Sequence, residues 1–257
     1  MLTGAGCSTA SGIPDYRDVR GEWKRSAPIL LQDFLCDPRM RQRYWARSLI
    51  GWRRLSRAVP NDAHHSLAGL EAQGKIELLV TQNVDGLHQA AGSRNVIDLH
   101  GRIDSIVCLS CHARTPRTEM QAALVSRNPG FAALDAHSAP DGDADLEGLD
   151  FDDFDVPACA VCDGLLKPDV VFFGESVPGD RVGQAMASLA RSDAMLVVGS
   201  SLMVLSGYRF AKAMAATGKP VAAINIGRTR ADDLLDLKIT ASCTDVLRQV
   251  VSGFSSP

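Results

Sequence analysis

No run of apolar residues in this chain approaches the length of a membrane span, and the opening Met1-Leu2-Thr3-Gly4 carries neither a basic segment nor an apolar stretch of the kind that starts a secretory leader. A soluble protein is expected. An excess of basic charge is also missing: 27 Lys and Arg stand against 30 Asp and Glu, for a net charge of −3, which argues against a general polyanion binder. No internal repeat is visible. Nor is there an even-numbered cysteine framework, since the seven cysteines are an odd set and four of them form two Cys-x-x-Cys pairs. A metal site in a reducing compartment such as the cytoplasm fits that pattern better than disulfides do.

What is present is enough apolar material for a full core: 257 residues at 46% hydrophobic content exclude disorder of the whole chain and suit one large domain carrying a smaller module. Short β-rich runs (Ile76–Thr81, Asn95–Leu99, Val170–Phe173, Ala194–Val198, Val221–Ile226) alternate with helical patterns near Arg39–Ala58, Asp62–Gln73, Asp180–Arg191, Gly207–Ala216 and Thr244–Val251. That alternation predicts an α/β fold, a doubly wound parallel sheet with helices on both faces. Asn61 is the expected N-cap of the second helix and Gly74 its stop. Leu2-Thr3 reads as the end of a first strand whose earlier residues lie upstream, and a mitochondrial matrix protein with a missing leader is compatible with that reading. From about Ile103 to Asp163 the pattern turns irregular, with a cysteine pair at each end and an acidic run from Asp141 to Asp155 that holds no basic residue and is expected to be a solvated loop. This stretch reads as a small metal-pinned insertion.

Gly4-Ala5-Gly6-Cys7-Ser8 follows the strand remnant and precedes an expected helix, the setting in which backbone N–H groups hold a phosphate. A tight turn explains the glycines equally well, because the third glycine of G-x-G-x-x-G and an acidic ribose-binding residue are both absent. Gly12-Ile13-Pro14-Asp15-Tyr16-Arg17 then reads as a mobile cover over a cofactor. Gly199-Ser200-Ser201 and Asn225-Ile226-Gly227 put small or polar groups at two further strand ends, where a doubly wound sheet binds a nucleotide.

His100 stands between a strand and Gly101. An isolated histidine is more often structural, but Asn83 and Asp85 end the adjacent strand and are suited to orienting a sugar and a nicotinamide carboxamide, and a neutral imidazole is the natural base for a ribose hydroxyl. His64, His65, His88, His112 and His137 lack such neighbours and read as surface, capping or packing residues. Cys108, Cys111, Cys159 and Cys162 make two knuckles able to close a tetrahedral zinc site whose role is structural, with a redox dithiol as the rival. Cys7 and Cys243 fall near the expected cofactor contacts, and Cys36 reads as packing.

Taken in order, these motifs and Lys167-Pro168-Asp169-Val170-Val171-Phe172-Phe173-Gly174-Glu175 make the chain resemble the sirtuins, NAD-dependent protein lysine deacylases, from Leu2 nearly to the C-terminus. Arg41-Gln42-Arg43-Tyr44-Trp45-Ala46-Arg47 and the long spacer between cysteine pairs resemble class II, the branch of the mitochondrial sirtuin 4 or a bacterial counterpart. The resemblance implies a Rossmann-like domain of residues 1–102 and 164–257, and a zinc module of residues 103–163 joined in the small domain by helices around residues 30–60. NAD and acyl-lysine would meet in a cleft between them. The acyl oxygen would attack C1′ of the nicotinamide ribose, nicotinamide would leave, and His100 would serve as base while the acyl group passes to ADP-ribose. Asn83 and Asp85 would position the nicotinamide ribose and carboxamide. Gly4, Ala5, Gly6, Ser8, Thr9, Asp15, Tyr16 and Arg17 would hold the phosphates and inner ribose. Gln82 and Val84 adjoin them, and Gly199, Ser200, Ser201, Asn225, Ile226, Gly227 and Cys243 would take the adenosine half. Val171 would receive the lysine amide hydrogen and Phe173 line the acyl tunnel, the peptide adding as a strand.

Tyr44 and Arg47 lie three apart on a predicted helix and share a face. A Tyr-x-x-Arg pair of this kind resembles the one that binds the distal carboxylate in sirtuins acting on acidic acyl groups, and arginine suits a carboxylate. The competing reading is a solvated face, because seven arginines lie between Arg39 and Arg57. Mono-ADP-ribosyl transfer and a non-catalytic NAD or ADP-ribose sensor are the alternative functions; a dehydrogenase is weaker, since no hydride-transfer constellation is apparent. The expected partners are acyl-lysine proteins or peptides, without membrane or nucleic acid, and the chain is expected to be a monomer.

Overall fold

The structure is a computed structural model that describes residues 1–24, 28–135, 146 and 148–254. In chain order its elements begin with β1 (Leu2–Thr3), α1 (Leu31–Cys36), α2 (Pro38–Leu55), α3 (Asp62–Ala72), β2 (Leu79–Thr81), α4 (Leu87–Ala90) and β3 (Val96–Asp98). There follow β4 (Gly101–Cys108), β5 (Arg114–Pro116), α5 (Arg117–Arg127), α6 (Pro129–Ala132), β6 (Leu166–Val170) and α7 (Gly179–Arg191). The last are β7 (Met195–Val198), α8 (Leu205–Ala216), β8 (Val221–Ile224), β9 (Leu237–Ile239) and α9 (Cys243–Phe254). They form two compact units, one of Met1–Ser26, Val59–His100 and Val177–Pro257, the other of Ala27–Ala58 and Gly101–Ser176.

The larger unit holds a six-stranded sheet of order β3-β2-β1-β7-β8-β9, with every neighbouring pair parallel. Successive side chains on a strand point to opposite faces. Val80 and Val197 accordingly pack in one core with Leu2, Phe210 and Met214, while Leu79 and Val198 pack in another with Leu67, Ile224 and Leu247. Both faces are apolar and both are covered, as an all-parallel sheet requires. Helix α3 starts where the sequence places it: the Asn61 side chain accepts from Ala63 N at 2.8 Å, and His64 Nδ1 accepts from Asn61 N at 3.2 Å in a reciprocal cap. Gly74, at φ +71°, lies just past its end.

Three local expectations change. The segment after the glycine loop is not an α-helix but two short 3₁₀ turns, Ala5–Cys7 and Thr9–Ser11. The run Val170–Phe173 is not a strand of the large sheet; the strand is Leu166–Val170 and pairs antiparallel with β4 in the smaller unit. Beyond it the Phe172 N–H is taken by the Glu175 carboxylate at 2.8 Å, so a side chain satisfies the backbone where a ladder would have done so. Strand β9, exposed at Leu237 and only three residues long, carries too little apolar pattern to be seen in the sequence.

The smaller unit packs the 18-residue helix α2 through Tyr44, Trp45, Leu49 and Ile50 against Ile106, Met120, Leu124, Phe154 and Phe172. Its antiparallel sheet has the order β5-β4-β6. The stretch that looks irregular in sequence thus contains the eight-residue strand β4 and the eleven-residue helix α5. Of the acidic run, residues 141–145 and 147 lie outside the described residues, as does His137. Its later part is a loop with exposed acidic side chains, as expected, anchored at a few points: Phe154 is buried, Gln42 Nε2 donates to Asp152 O at 2.9 Å, and Asp155 N donates to Asn128 Oδ1 at 2.7 Å. The arginines of α2 are not a simple solvated face, because Arg41 donates to Phe34 O and Leu35 O and Arg53 to Leu134 O, each at 2.9 Å. They tie carbonyl groups of neighbouring segments to the helix.

Candidate active site and candidate metal centre

The strand order of the larger unit fixes where a ligand can enter. From β1 the chain runs outward through β2 and β3 on one side, then returns to β7, β8 and β9 on the other, so the loops after β1 and β7 diverge at the carboxyl edge between them. Such a switch point is where doubly wound sheets bind nucleotides. The loop after β1 is Gly4–Ser8, and the loop after β7 is Gly199–Ser201. They touch: a Cβ on Gly4 would stand 2.7 Å from Ser200 Cβ, and one on Gly6 would stand 2.9 Å from Gly199 O. Only glycine permits this approach, which packs the two loops directly on each other, Gly6 N donating to Gly199 O at 2.8 Å.

Polar side chains from the strand ends converge on the same edge. Ser8 Oγ donates to Asp85 Oδ2 at 2.7 Å, and Asn83 Nδ2 donates to Ser8 Oγ at 3.0 Å and Gly4 O at 3.1 Å. Asp85 Oδ1 accepts from Leu87 N at 2.9 Å. Gln82 Nε2 bridges Ser200 Oγ at 2.7 Å and Thr3 O at 3.2 Å. Thr9 Oγ1 and Cys243 Sγ both donate to Gly6 O, at 3.0 and 3.3 Å. Val84 is half-buried, Ser201 O accepts from Arg230 N at 2.8 Å, and Asn225 Nδ2 closes its own turn on Gly227 O at 2.9 Å, leaving Ile226 exposed. The glycine loop, Asn83, Asp85, Gln82, Ser200 and Cys243 are therefore one connected group.

Asp15, Tyr16 and Arg17 make contacts within their own loop. Asp15 is ion-paired with Lys24, the Tyr16 ring stands edge-on to Trp23 at 6.1 Å, and the Arg17 guanidinium lies 3.9 Å over Trp23 and donates to Gly21 O at 2.8 Å. Arg228 N donates to Val19 O at 2.8 Å, which ties this loop to the end of β8.

His100 is the last residue of the larger unit's central segment. Its Nδ1 lies 2.9 Å from Gln82 O, which can only accept, so Nδ1 carries the proton and Nε2 presents the lone pair. Nε2 meets Ser206 Oγ at 2.8 Å. Burial lowers the affinity of the ring for a proton, with the Gln82 carbonyl opposing the effect and Arg181 adding to it, so His100 is a neutral imidazole at physiological pH.

Two other histidines, read from the sequence as surface, capping or packing residues, do cap and pack beneath this edge. His64 and His88 are buried, their rings 4.8 Å apart; burial pushes them down to about 4 and about 3. His64 Nε2 lies 3.4 Å from Ser8 Oγ, and His88 Nε2 lies 2.9 Å from Thr3 Oγ1. The spacing of His64 from the N-cap Asn61 was the available signal. Cys7 offers a third donor within 4.8 Å of both. His64 Nδ1 is committed to the Asn61 N–H, however, so its Nε2 holds the proton, and the trio is a polar packing network.

In the smaller unit Cys108, Cys111, Cys159 and Cys162 bring four sulfurs within 4.8 Å of one another, with Cys108 to Cys162 at 3.5 Å and Cys111 to Cys159 at 3.7 Å. The N–H groups of Cys111 and Ser110 donate to Cys108 Sγ and lower its thiol to about 6. A closed set of four sulfurs fits one tetrahedral zinc ion and leaves no open coordination position. Cys36 is exposed, not packed, and accepts from Gln32 Nε2 at 2.9 Å.

Of the residues expected to meet substrate, Tyr44 is buried against Phe34 and Phe172, with ring centroids 5.5 and 5.2 Å away; Arg47 is half-buried one turn along α2. Val171 and Phe173 are half-buried, and Phe173 O accepts from Leu31 N at 2.8 Å. Between them Phe172 is held by Glu175, whose carboxylate also receives the buried Lys167 ammonium at 2.9 Å.

A parallel sheet with polar side chains gathered at its switch point, in a chain that also carries four sulfurs able to hold one zinc ion, suits a nucleotide-dependent protein with a structural metal. The Sir2 family model matches residues 4–206, and the chain belongs to that family. It is 62% identical over 247 residues to a protein of Xanthomonas campestris pv. campestris (strain 8004) named NAD-dependent protein deacetylase, covering 96% of this chain and 84% of that one. A protein of the same name from Bordetella bronchiseptica is 61% identical over 252 residues, covering 98% and 92%. Among solved structures, a Sir2 complex with p53 peptide and NAD+ is 31% identical at a TM-score of 0.76, covering 98% of this chain and 91% of that one. The class expected from the sequence motifs is thus the family found.

Proposed function

We propose that this chain is an NAD-dependent protein lysine deacetylase that passes the acyl group to ADP-ribose and releases nicotinamide. The observation that carries the reading is His100, whose Nε2 lone pair is fixed by the Gln82 carbonyl at the edge where the Gly4–Ser8 loop packs against Gly199 and Ser200. The 62% identity to a protein named NAD-dependent protein deacetylase supports the same assignment. NAD is a consumed substrate. The glycine loop receives its pyrophosphate, Asn83 and Asp85 orient the nicotinamide ribose and carboxamide, and Asn225 with the backbone near Cys243 takes the adenosine end. His100 accepts the proton of a ribose hydroxyl as that oxygen attacks the activated acyl carbon. Cys108, Cys111, Cys159 and Cys162 would hold a zinc ion that supplies rigidity and no chemistry.

The finer reading is a class II enzyme, the branch that includes sirtuin 4, taking acidic acyl groups at least as well as acetyl. It rests on Tyr44 and Arg47, three apart on α2, with the Tyr44 ring against Phe172 beside the expected acyl-tunnel residue Phe173. Acetyl, succinyl, glutaryl and lipoyl peptides offered with NAD, scored for nicotinamide and O-acyl-ADP-ribose, test both levels. Turnover of any of them to O-acyl-ADP-ribose upholds deacylation, whereas nicotinamide release accompanied only by ADP-ribosylated protein overturns it. A strong acetyl preference untouched by Arg47→Ala removes the acidic-acyl reading alone.

A further inference from the structure

His100 has a second partner that the proposed reaction does not use. Gln82 O fixes the proton on Nδ1 but leaves the ring free to rock about that single bond. The other constraint is Ser206, a buried residue of the first turn of α8, whose Oγ lies 2.8 Å from Nε2. Because Nε2 presents a lone pair, the serine hydroxyl is the donor in this contact. Gly207, which follows, lets α8 pack directly on the Gln82 side chain: a Cβ there would stand 2.4 Å from Gln82 Oε1. One helix turn therefore packs against the residue that holds Nδ1 while its serine holds Nε2. The ring is clamped from both nitrogens by Gln82 and Ser206.

We propose that Ser206 is a positioning residue for the base: its hydroxyl holds the His100 ring with Nε2 aimed at the place a ribose hydroxyl takes, and gives up that place when the substrate hydroxyl arrives. This rests on the reading of His100 as the base of acyl transfer. Donating a hydrogen bond to Nε2, the serine occupies the same lone pair that the substrate O–H must reach, so it stands in for the substrate and preserves the geometry between turnovers. Preorganisation of this kind matters because a small misplacement of a catalytic group costs on the order of 10²-fold in rate.

The test separates the two stages of the reaction. Nicotinamide exchange into NAD in the presence of acetyl peptide reports cleavage of the glycosidic bond, which needs no base. Formation of O-acetyl-ADP-ribose reports the later step, which does. In Ser206→Ala the second is expected to fall about tenfold, exchange to stay within about twofold of wild type, and KM for NAD to change little. Ser206→Thr, which keeps the hydroxyl, is expected to recover most of the loss. Thermal melting of each variant accompanies the rates. Undiminished acyl transfer in Ser206→Ala overturns the proposal, as does a parallel fall in both stages or a threonine variant no better than alanine. His100→Ala is the control for the reading beneath it: if that variant still makes O-acetyl-ADP-ribose at the wild-type rate, the base assignment fails whatever Ser206 does.

Discussion

The two units of this protein solve the problem of holding a functional site in opposite ways. In the larger unit, Ser8, Asn83, Asp85, Gln82, Ser200 and His100 are linked side chain to side chain and side chain to backbone, across strand ends far apart in sequence. Each bond is individually worth about 1 kcal/mol, and the sheet beneath supplies the rigidity. The smaller unit gathers four thiols at the ends of two knuckles and packs one aromatic cluster on α2. There, a single ion is expected to contribute more than any group of hydrogen bonds. A distributed network should lose function by degrees, and a metal-pinned one all at once.

The largest effect is therefore expected at the thiols. Replacing Cys108 with Ser, or stripping the ion with a strong chelator, removes a contribution on the order of 10 kcal/mol. Zinc content should drop below one equivalent, the melting transition should lose its α2 and β4 component, and deacetylation should disappear. Retention of a full cooperative melt without zinc would mean that the aromatic core alone suffices.

Acid should act on the other unit. His64 and His88 are held neutral by burial, with folded values of about 4 and about 3 against about 6.5 when unfolded. The unfolded chain binds more protons between those values, so the stability they contribute is full above pH ~6.5 and is lost as the pH falls toward ~4, by a few kcal/mol in total. Denaturant melts across that range should show it, with a shallower slope in His88→Gln. A flat profile would place the two rings in water.

Asp85→Asn comes next, because it removes the carboxylate that accepts from Ser8 and Leu87 while keeping the size of the side chain. A rise of about tenfold in KM for NAD is expected, with zinc content unchanged. The smallest effect belongs to Arg47→Ala. It should lower the ratio of glutaryl to acetyl turnover by about five- to tenfold and leave acetyl turnover near wild type.

How much of this was legible in the sequence follows from the kind of signal each element carries. Strands β2, β7 and β8 are apolar runs ending in small or polar residues, and both the runs and their ends were readable. So were the cysteine pairs, whose spacing is itself the chemistry. The segment Val170–Phe173 misled because an apolar run does not reveal whether a ladder or a carboxylate such as Glu175 will satisfy its backbone. His64 and His88 are the capping or packing residues the sequence suggested, but their partners Ser8 and Thr3 come from tertiary packing under the glycine loop, which no local pattern records. The same holds for Ser206, which meets His100 only across 106 residues of chain. Arg41 and Arg53 looked like solvated charge, yet their contacts are carbonyl oxygens, the use of arginine that composition conceals.

One measurement bears most directly on the claim that the larger unit runs NAD-dependent deacylation. Wild-type protein, acetyl-lysine peptide and NAD are combined under limiting NAD, and nicotinamide, O-acetyl-ADP-ribose and deacetylated peptide are quantified together. Equal amounts of all three are expected, with no reduced NAD formed. Nicotinamide without O-acetyl-ADP-ribose, or any peptide deacetylation that proceeds without NAD, would contradict it.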